Sequence, residues 1–236
     1  MTFLPLASSS AGNAYLLSDG ETHLLLECGI TVSELRRRLG GTLPKLAACL
    51  VTHEHGDHGK AAKQLLRLGI PVYMSYGTAL AHKDDMNEAR LIAAGETAMF
   101  GCLRVLAFRV FHNTEEPLGW LIEDSRTGER LLFAIDTVNL NYIVKGLDTV
   151  AIECNYAEKI MNRYPDPDKK FWFRKERTKR CHMEIETALR YLRRLDLSKC
   201  RCIYLMHLSD AYSDAEGFKR RFEQAFPGIR IVICEK

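Results

Sequence analysis

The stretch Thr52-His53-Glu54-His55-Gly56-Asp57-His58-Gly59 limits what this chain can fold into more than any other. It follows the apolar run Ala47, Ala48, Cys49, Leu50 and Val51, which is short and lacks helical spacing. That pattern predicts a buried strand delivering the histidines at its carboxyl end. Three of the eight histidines fall within six residues. Imidazole nitrogens and carboxylate oxygens are the ligands zinc and its first-row neighbours take at neutral pH, and this spacing lets several point into one small volume. Gly56 and Gly59 permit the tight path that convergence needs. From Lys60 to Leu68, apolar Ala61, Leu65, Leu66 and Leu68 alternate with polar residues, predicting a helix just past the ligands with Asp57 and His58 at its amino end. The plainer reading is a polar loop rich in histidine; four donors in H-x-H-x-D-H order after a buried strand count against it.

A chain of 236 residues, 47% of them apolar, can bury one large core, so one domain over residues 1–236 is expected. Met1 to Leu6 lacks the basic start of a secretory signal, and no apolar stretch approaches a membrane span; a soluble, cytoplasmic protein is expected. Eight scattered cysteines without a C-x-x-C pair suggest reduced, mostly buried thiols rather than a disulfide framework. The net charge of +3 conceals an uneven distribution. From Lys159 to Arg180 there are nine basic and three acidic residues, leaving the rest of the chain net −3.

Along the chain, Thr2 to Leu6, Asn13 to Leu17 and His23 to Glu27 read as strands. The separator Ser8-Ser9-Ser10-Ala11-Gly12-Asn13 reads as a loop whose hydroxyls and amides suit an anion, which makes Ser9, Ser10 and Asn13 candidate substrate contacts. Ser18-Asp19-Gly20 is a hairpin signal, His23 a strand residue, and Val32 to Leu39 a short helix stopped by Gly40-Gly41. Pro71 to Met74 is a strand and Tyr76 to His82 a helix, with His82 on the surface. The Asp84 to Arg90 region reads as a polar loop. Leu103 to Phe111, Gly119 to Glu123, Arg130 to Ile135, Val150 to Ile152 and Ile203 to Met206 are further strands. Asp214 to Phe226, with phenylalanines every four residues, is a surface helix, and Ile229 to Cys234 a closing strand. One event repeats: an apolar strand, then a ligand-type residue at its carboxyl end, at His53, His112, Asp136, Glu153 and His207. Strand ends on one edge of a sheet are where active sites gather.

The histidine cluster, and the order in which an isolated histidine, an aspartate and a final histidine follow it, resemble the metallo-β-lactamase superfamily. The resemblance implies a four-layer αββα sandwich with a two-metal site. His53, His55 and His112 would bind one ion, Asp57, His58 and His207 the other, with Asp136 bridging. It also implies a shared water between the ions, deprotonated near neutral pH, which Asp57 would orient. Ser8 to Asn13, His112-Asn113-Thr114-Glu115-Glu116-Pro117-Leu118-Gly119 and Met206-His207-Leu208-Ser209 resemble a subgroup, the YycJ/WalJ-like proteins, phosphodiesterases distantly related to RNase Z. In those relatives a glutamate holds a non-ligand histidine that donates a proton to the leaving oxygen; Glu153 and His182 stand in the matching places. Glu27 stands where the superfamily's early strand commonly ends in aspartate. Cys181 and Glu184 replace the subgroup's usual glycine and serine.

A departing alkoxide is a strong base, so a histidinium held by a carboxylate suits phosphodiester cleavage. The competing reading of His182 is a residue preceding a helix marked by Ile185, Leu189, Leu192 and Leu195. The segment Lys159 to Arg180 interleaves Tyr164, Phe171, Trp172 and Phe173 with its cations, a mixture suited to a nucleic-acid strand. Lys169, Lys170, Arg174 and Lys175 are its candidate contacts, with Asn155 beside Glu153; an ordinary solvated loop is the alternative. The expectation is therefore a metal-dependent phosphodiester hydrolase acting on nucleic acid, a DNA exonuclease as the subgroup implies, using two divalent ions. Zinc leads, and manganese or nickel are also accepted by this donor set. Hydrolysis of a small cyclic or nucleotide diester is the runner-up, with a thioester or lactone hydrolase and a non-catalytic metal-binding module behind it.

Overall fold

In a computed structural model the chain is described at residues 1–82, 86, 88–163 and 169–235, with the backbone alone given for 169 and 170. Two compact units result: Met1–Arg109 with Thr114–Arg130 and Cys234–Lys236, and Val110–Asn113 with Leu131–Ile233. The strands make two sheets.

The first unit opens with a hairpin of β1 (Thr2–Ser9) and β2 (Gly12–Ser18), to which β3 (His23–Leu26) adds antiparallel. Helix α1 (Val32–Arg38) leads to β4 (Leu46–Leu50), then α2 (Gly56–Gly59), α3 (Ala62–Arg67), β5 (Val72–Met74), α4 (Tyr76–Ala81) and β6 (Arg90–Leu91). Strands β3 to β6 pair in parallel, giving a six-stranded sheet in chain order. Parallel central strands are buried on both faces and so read as unbroken apolar runs. Accordingly Leu24, Leu25, Leu26, Cys49, Leu50 and Val51 are all fully buried. Leu35 of α1 and Leu65 of α3 pack into the same core. Helix α1 is capped by the Thr31 hydroxyl, which accepts from the Glu34 amide. It ends where Gly40 and Gly41 take φ of 80° and 105° and the Gly41 amide reaches back to the Arg36 carbonyl, the glycine stop expected from the sequence. This unit also holds β7 (Thr97–Phe100), β8 (Leu103–Arg109) and β9 (Leu118–Asp124), antiparallel.

The second unit carries β10 (Arg130–Ala134) from Leu131 onward, β11 (Thr149–Glu153), α5 (Glu158–Met161), α6 (Lys169–Cys181), α7 (Ile185–Leu192), β12 (Cys202–Met206), α8 (Ala215–Ala225) and β13 (Arg230–Ile233). Its four strands pair in parallel in the order β10-β11-β12-β13, so their carboxyl ends lie along one edge. Phe218 and Phe222 of α8 are buried, as the four-residue recurrence predicts.

Four readings are revised. Ser8 to Asn13 is not an open loop: β1 runs through Ser9 and β2 starts at Gly12, because backbone pairing of Ser9 with Gly12 and Ser8 with Asn13 outcompetes it, leaving a two-residue turn. The basic segment is no solvated loop from 169 onward but the thirteen-residue α6; residues 164–168, Tyr164 among them, lie outside those described. Strands β6 and β7 were not anticipated, being short and mostly exposed. His23 does open β3, while His82, expected on the surface, is half-buried and packs against Gly59, whose Cα hydrogen side its ring covers. Among the described residues no helix is long and apolar enough to cross a membrane.

Candidate metal centre

In the first unit, β4 ends at Leu50 and the chain turns through Thr52 into the histidine loop. The Thr52 amide donates to Glu27 Oε1 (3.2 Å), and its hydroxyl lies 2.9 Å from His53 Nδ1, which leaves Nε2 of that ring for other partners. That Nε2 is 3.0 Å from His55 Nδ1, and the His58 ring centroid lies 4.1 Å from that of His53. His58 is held between carboxylates: Nδ1 is 3.4 Å from Glu27 Oε2 and Nε2 is 3.4 Å from Asp57 Oδ2. Such a carboxylate–histidine pair fixes the ring and sharpens its basicity toward a metal. Burial raises the Glu27 carboxyl above its ordinary value, against the opposing pull of His58 and Thr52. Asn13 is fully buried and its amide lies 3.3 Å from the Asp57 carbonyl, 3.4 Å from Asp57 Oδ2 and 3.2 Å from His58 Nε2. The approach of β2 and the β3 end to α2 requires Gly29: a Cβ there would lie 1.6 Å from the Asp57 carbonyl oxygen.

In the second unit every donor comes from a different place in the chain. His112 follows β8; its Nδ1 donates to the carbonyl of Cys181, the last residue of α6 (2.8 Å), which turns Nε2 toward Asp136 Oδ2 at 3.6 Å. Asp136, two residues past β10, offers its other oxygen to His207 Nδ1 at 3.3 Å. Glu153 ends β11 and is fully buried; its Oε2 accepts from the amides of Thr137 (2.8 Å) and Met183 (3.2 Å), and its Oε1 lies 2.6 Å from His182 Nδ1. Asn155 donates to the His207 carbonyl (2.7 Å) and lies 3.1 Å from His207 Nδ1. One ligand atom from each of Asp136, Glu153, His182 and His207 lies within 4.8 Å of the others.

The electrostatics sort these groups. Burial works against charge on Glu153, yet His182, then His207, outweigh it and hold the carboxyl below its ordinary value. Burial alone would lower the His182 pKa; the charge and hydrogen bond of Glu153, then Asp136, raise it above the usual histidine value. For His112 burial prevails over Asp136 and the Cys181 carbonyl, so its pKa is lowered and the ring is the neutral form a metal requires. Glu27, Asp136 and His207 share one further property: φ of 62°, 46° and 56°, the left-handed region that costs a non-glycine residue about 1 kcal/mol or more. All three follow strand ends.

Of the proposed substrate contacts, Ser10 is exposed at the β1–β2 turn, Ser9 is buried with its hydroxyl accepting from the Ala11 amide, and Asn13 and Asn155 are buried against ligand-type residues. Lys169 and Lys170 open α6. Arg174 is exposed over the Phe171 ring (5.4 Å), whereas Lys175 is buried. Glu27 was noted in the sequence only as a departure from a family pattern. Its part in seating His58, 31 positions on, appears once β3 and β4 are side by side.

Two ligands at tetrahedral corners of a zinc ion with bonds of ~2.1 Å stand about 3.4 Å apart. The Asp136–His112 and Asp136–His207 separations of 3.6 and 3.3 Å fit that spacing, and 3.6 Å is too long for a hydrogen bond. Histidine and carboxylate donors at strand ends of a mixed α/β fold define a metal-dependent hydrolase. The chain belongs to the family described as "Beta-lactamase superfamily domain", whose profile matches residues 22–208. It is similar to exodeoxyribonuclease YycJ of Bacillus anthracis, 27% identical over 222 residues that cover 88% of this chain and 82% of that protein. It is also similar to exodeoxyribonuclease WalJ of Streptococcus pneumoniae, at 26% over 86% and 80% of the two chains. Among solved structures, the metallo-β-lactamase fold protein YhfI from Bacillus subtilis superposes with a TM-score of 0.73 at 17% identity, over 99% of this chain and 95% of that one. The expected fold and the resemblance to the YycJ/WalJ-like proteins are thereby borne out.

Proposed function

We propose that this metallohydrolase cleaves phosphodiester bonds of nucleic acid, as an exonuclease on DNA, and that both ligand sets serve one centre holding two divalent ions. His53, His55 and His112 would hold one ion and Asp57, His58 and His207 the other, with Asp136 shared. Zinc is the ion this nitrogen-rich set favours, and manganese or nickel are alternatives. Bound there, the ions would supply an activated water and offset the negative charge of the diester.

The observation that carries the reading is the Glu153–His182 pair at 2.6 Å, beside Asp136 and His207 but not itself required as a ligand. Glu153 is anchored by two backbone amides and holds His182 through Nδ1, leaving Nε2 to pass a proton to the departing oxygen. Asp57 orients the attacking water. Asn13 and Asn155 position Asp57, His58 and His207, and Ser9, Ser10, Lys169, Lys170 and Arg174 are the candidate contacts to substrate, Lys175 being buried. The exodeoxyribonuclease names of the two sequence relatives support DNA as the polymer. Eight cysteines, none of them in a disulfide, support a reducing, cytoplasmic setting.

The test is cleavage of end-labelled DNA and RNA, beside a chromogenic diester, by metal-reconstituted protein and Asp57→Ala. Polymer cleavage that vanishes in the variant supports the nuclease and, from the label, gives its direction. Cleavage of the small ester alone would replace it with a small-molecule phosphodiesterase.

A further inference from the structure

Helix α6 carries a surface that its own stability does not explain. Trp172 and Phe173 are adjacent, 48% and 62% exposed, with ring centroids 5.0 Å apart in an edge-to-face pair. Arg174, Arg177 and Arg180 recur every third residue, all exposed, and among the described residues none is ion-paired with an acid. Like charges at this spacing repel along a helix, and two large exposed aromatics gain nothing from the core. Lys179, by contrast, is spent on Glu158 at 3.5 Å and Glu176 at 3.9 Å. Phe173, Arg177 and Arg180 stand at i, i+4 and i+7, one stripe of the helix. The stripe leads to the end of α6, where the Cys181 carbonyl holds His112 and the next residue is His182.

We propose that this stripe is a track for a single-stranded polynucleotide: Phe173, with Trp172 against it, stacks an unpaired base, and Arg177 and Arg180 follow the phosphates toward His182. The inference rests on the nuclease reading above and narrows its substrate to strands with unpaired bases, since a duplex keeps its base faces covered. Arginine suits phosphate contact and aromatic faces accept any base, so the track is indifferent to sequence. Phe173 and His182 are nine positions apart, about 13 Å along the helix axis. That length matches roughly four stacked nucleotides at ~3.4 Å each, and fewer in an extended strand.

The experiment uses metal-reconstituted protein, the Trp172→Ala/Phe173→Ala and Arg177→Gln/Arg180→Gln double variants, and single-stranded DNA and RNA of two to ten nucleotides. Blunt duplexes and bis(p-nitrophenyl) phosphate complete the set. For the unaltered protein kcat/KM should climb with strand length, level off near four nucleotides, and stay low on the blunt duplex. The aromatic variant should lose about tenfold on the longer strands with the aryl diester rate unchanged, and Trp172→Phe/Phe173→Tyr should restore it. The arginine variant should flatten the salt dependence. Because Trp120 is buried and Trp172 exposed, single strands should also quench emission in the unaltered protein and not in Trp172→Phe. Oligonucleotides cut with the same length dependence by all variants would overturn the track and leave the nuclease standing. Loss of the aryl diester rate in the aromatic variant would also overturn it, by making the pair structural. Hydrolysis of the aryl diester with no oligonucleotide cut at any length would remove the nuclease reading and the track together.

Discussion

In the first unit, four donors come from six consecutive residues running from one loop into α2, and the groups that seat them, Thr52, Glu27 and Asn13, lie on or just past the ends of neighbouring strands of one sheet. In the second, His112, Asp136, His207 and the Glu153–His182 pair come from separate strand ends and one helix junction, and hold one another by pairwise contacts. A compact loop can be shifted as a block. A distributed set has no block to shift, and each member's place depends on the strand that delivers it. Under the proposed function the first arrangement concentrates ligands, and the second adds His182 as a group left over for proton transfer.

The comparison is broken most severely at Asp136, whose two oxygens face different histidines. Asp136→Ala is expected to empty both ion sites and abolish hydrolysis, whereas Asp57→Ala should empty one; elemental analysis of dialysed protein checks this, and equal losses would remove the bridging role. Next in size is His182→Ala. It should slow turnover by about 10²- to 10⁴-fold at full metal content, and metal lost from that variant would make the residue a ligand. Smaller again are the supporting groups. Glu27→Gln in the first unit and Asn155→Ala in the second should each weaken metal affinity by about 10- to 100-fold, read by competition with a chelating dye. A loss confined to one of them would show that only one set depends on its supports.

The smallest effect concerns pH. The His182 pKa is raised by Glu153 despite burial, so its proton is present below that pKa and lost as pH climbs through it. In Glu153→Gln the alkaline limb of the kcat/KM profile should move to lower pH. An unmoved limb would detach it from this pair.

How legible each region was in the sequence follows from the same contrast. The histidine loop announced itself by spacing alone. The central strands of both units were visible because parallel pairing buries both faces, as at Cys202–Met206, where every residue is buried. His112, Asp136 and His207 were visible only as an order of strand ends. Helix α6 stayed hidden because Trp172 and Phe173 face outward and its charges follow no buried stripe. Lys175 was expected among the substrate contacts, yet its place at the inward side of α6 buries it. The supports were hidden for another reason: Glu27 and Asn13 acquire their roles from strand neighbours far away in the chain, and no local pattern marks an asparagine whose amide will meet an aspartate 44 positions on.

The left-handed backbone at Glu27, Asp136 and His207 bears on how this protein would age under selection or in the hands of an engineer. Glycine rests in that conformation without penalty. Selection for thermal endurance alone would drift these positions toward glycine and yield a sturdier, inert scaffold. In metal-free protein Asp136→Gly should accordingly outlast Asp136→Ala on heating, and a hardened chain of this kind would make a convenient trap for capturing uncut substrate.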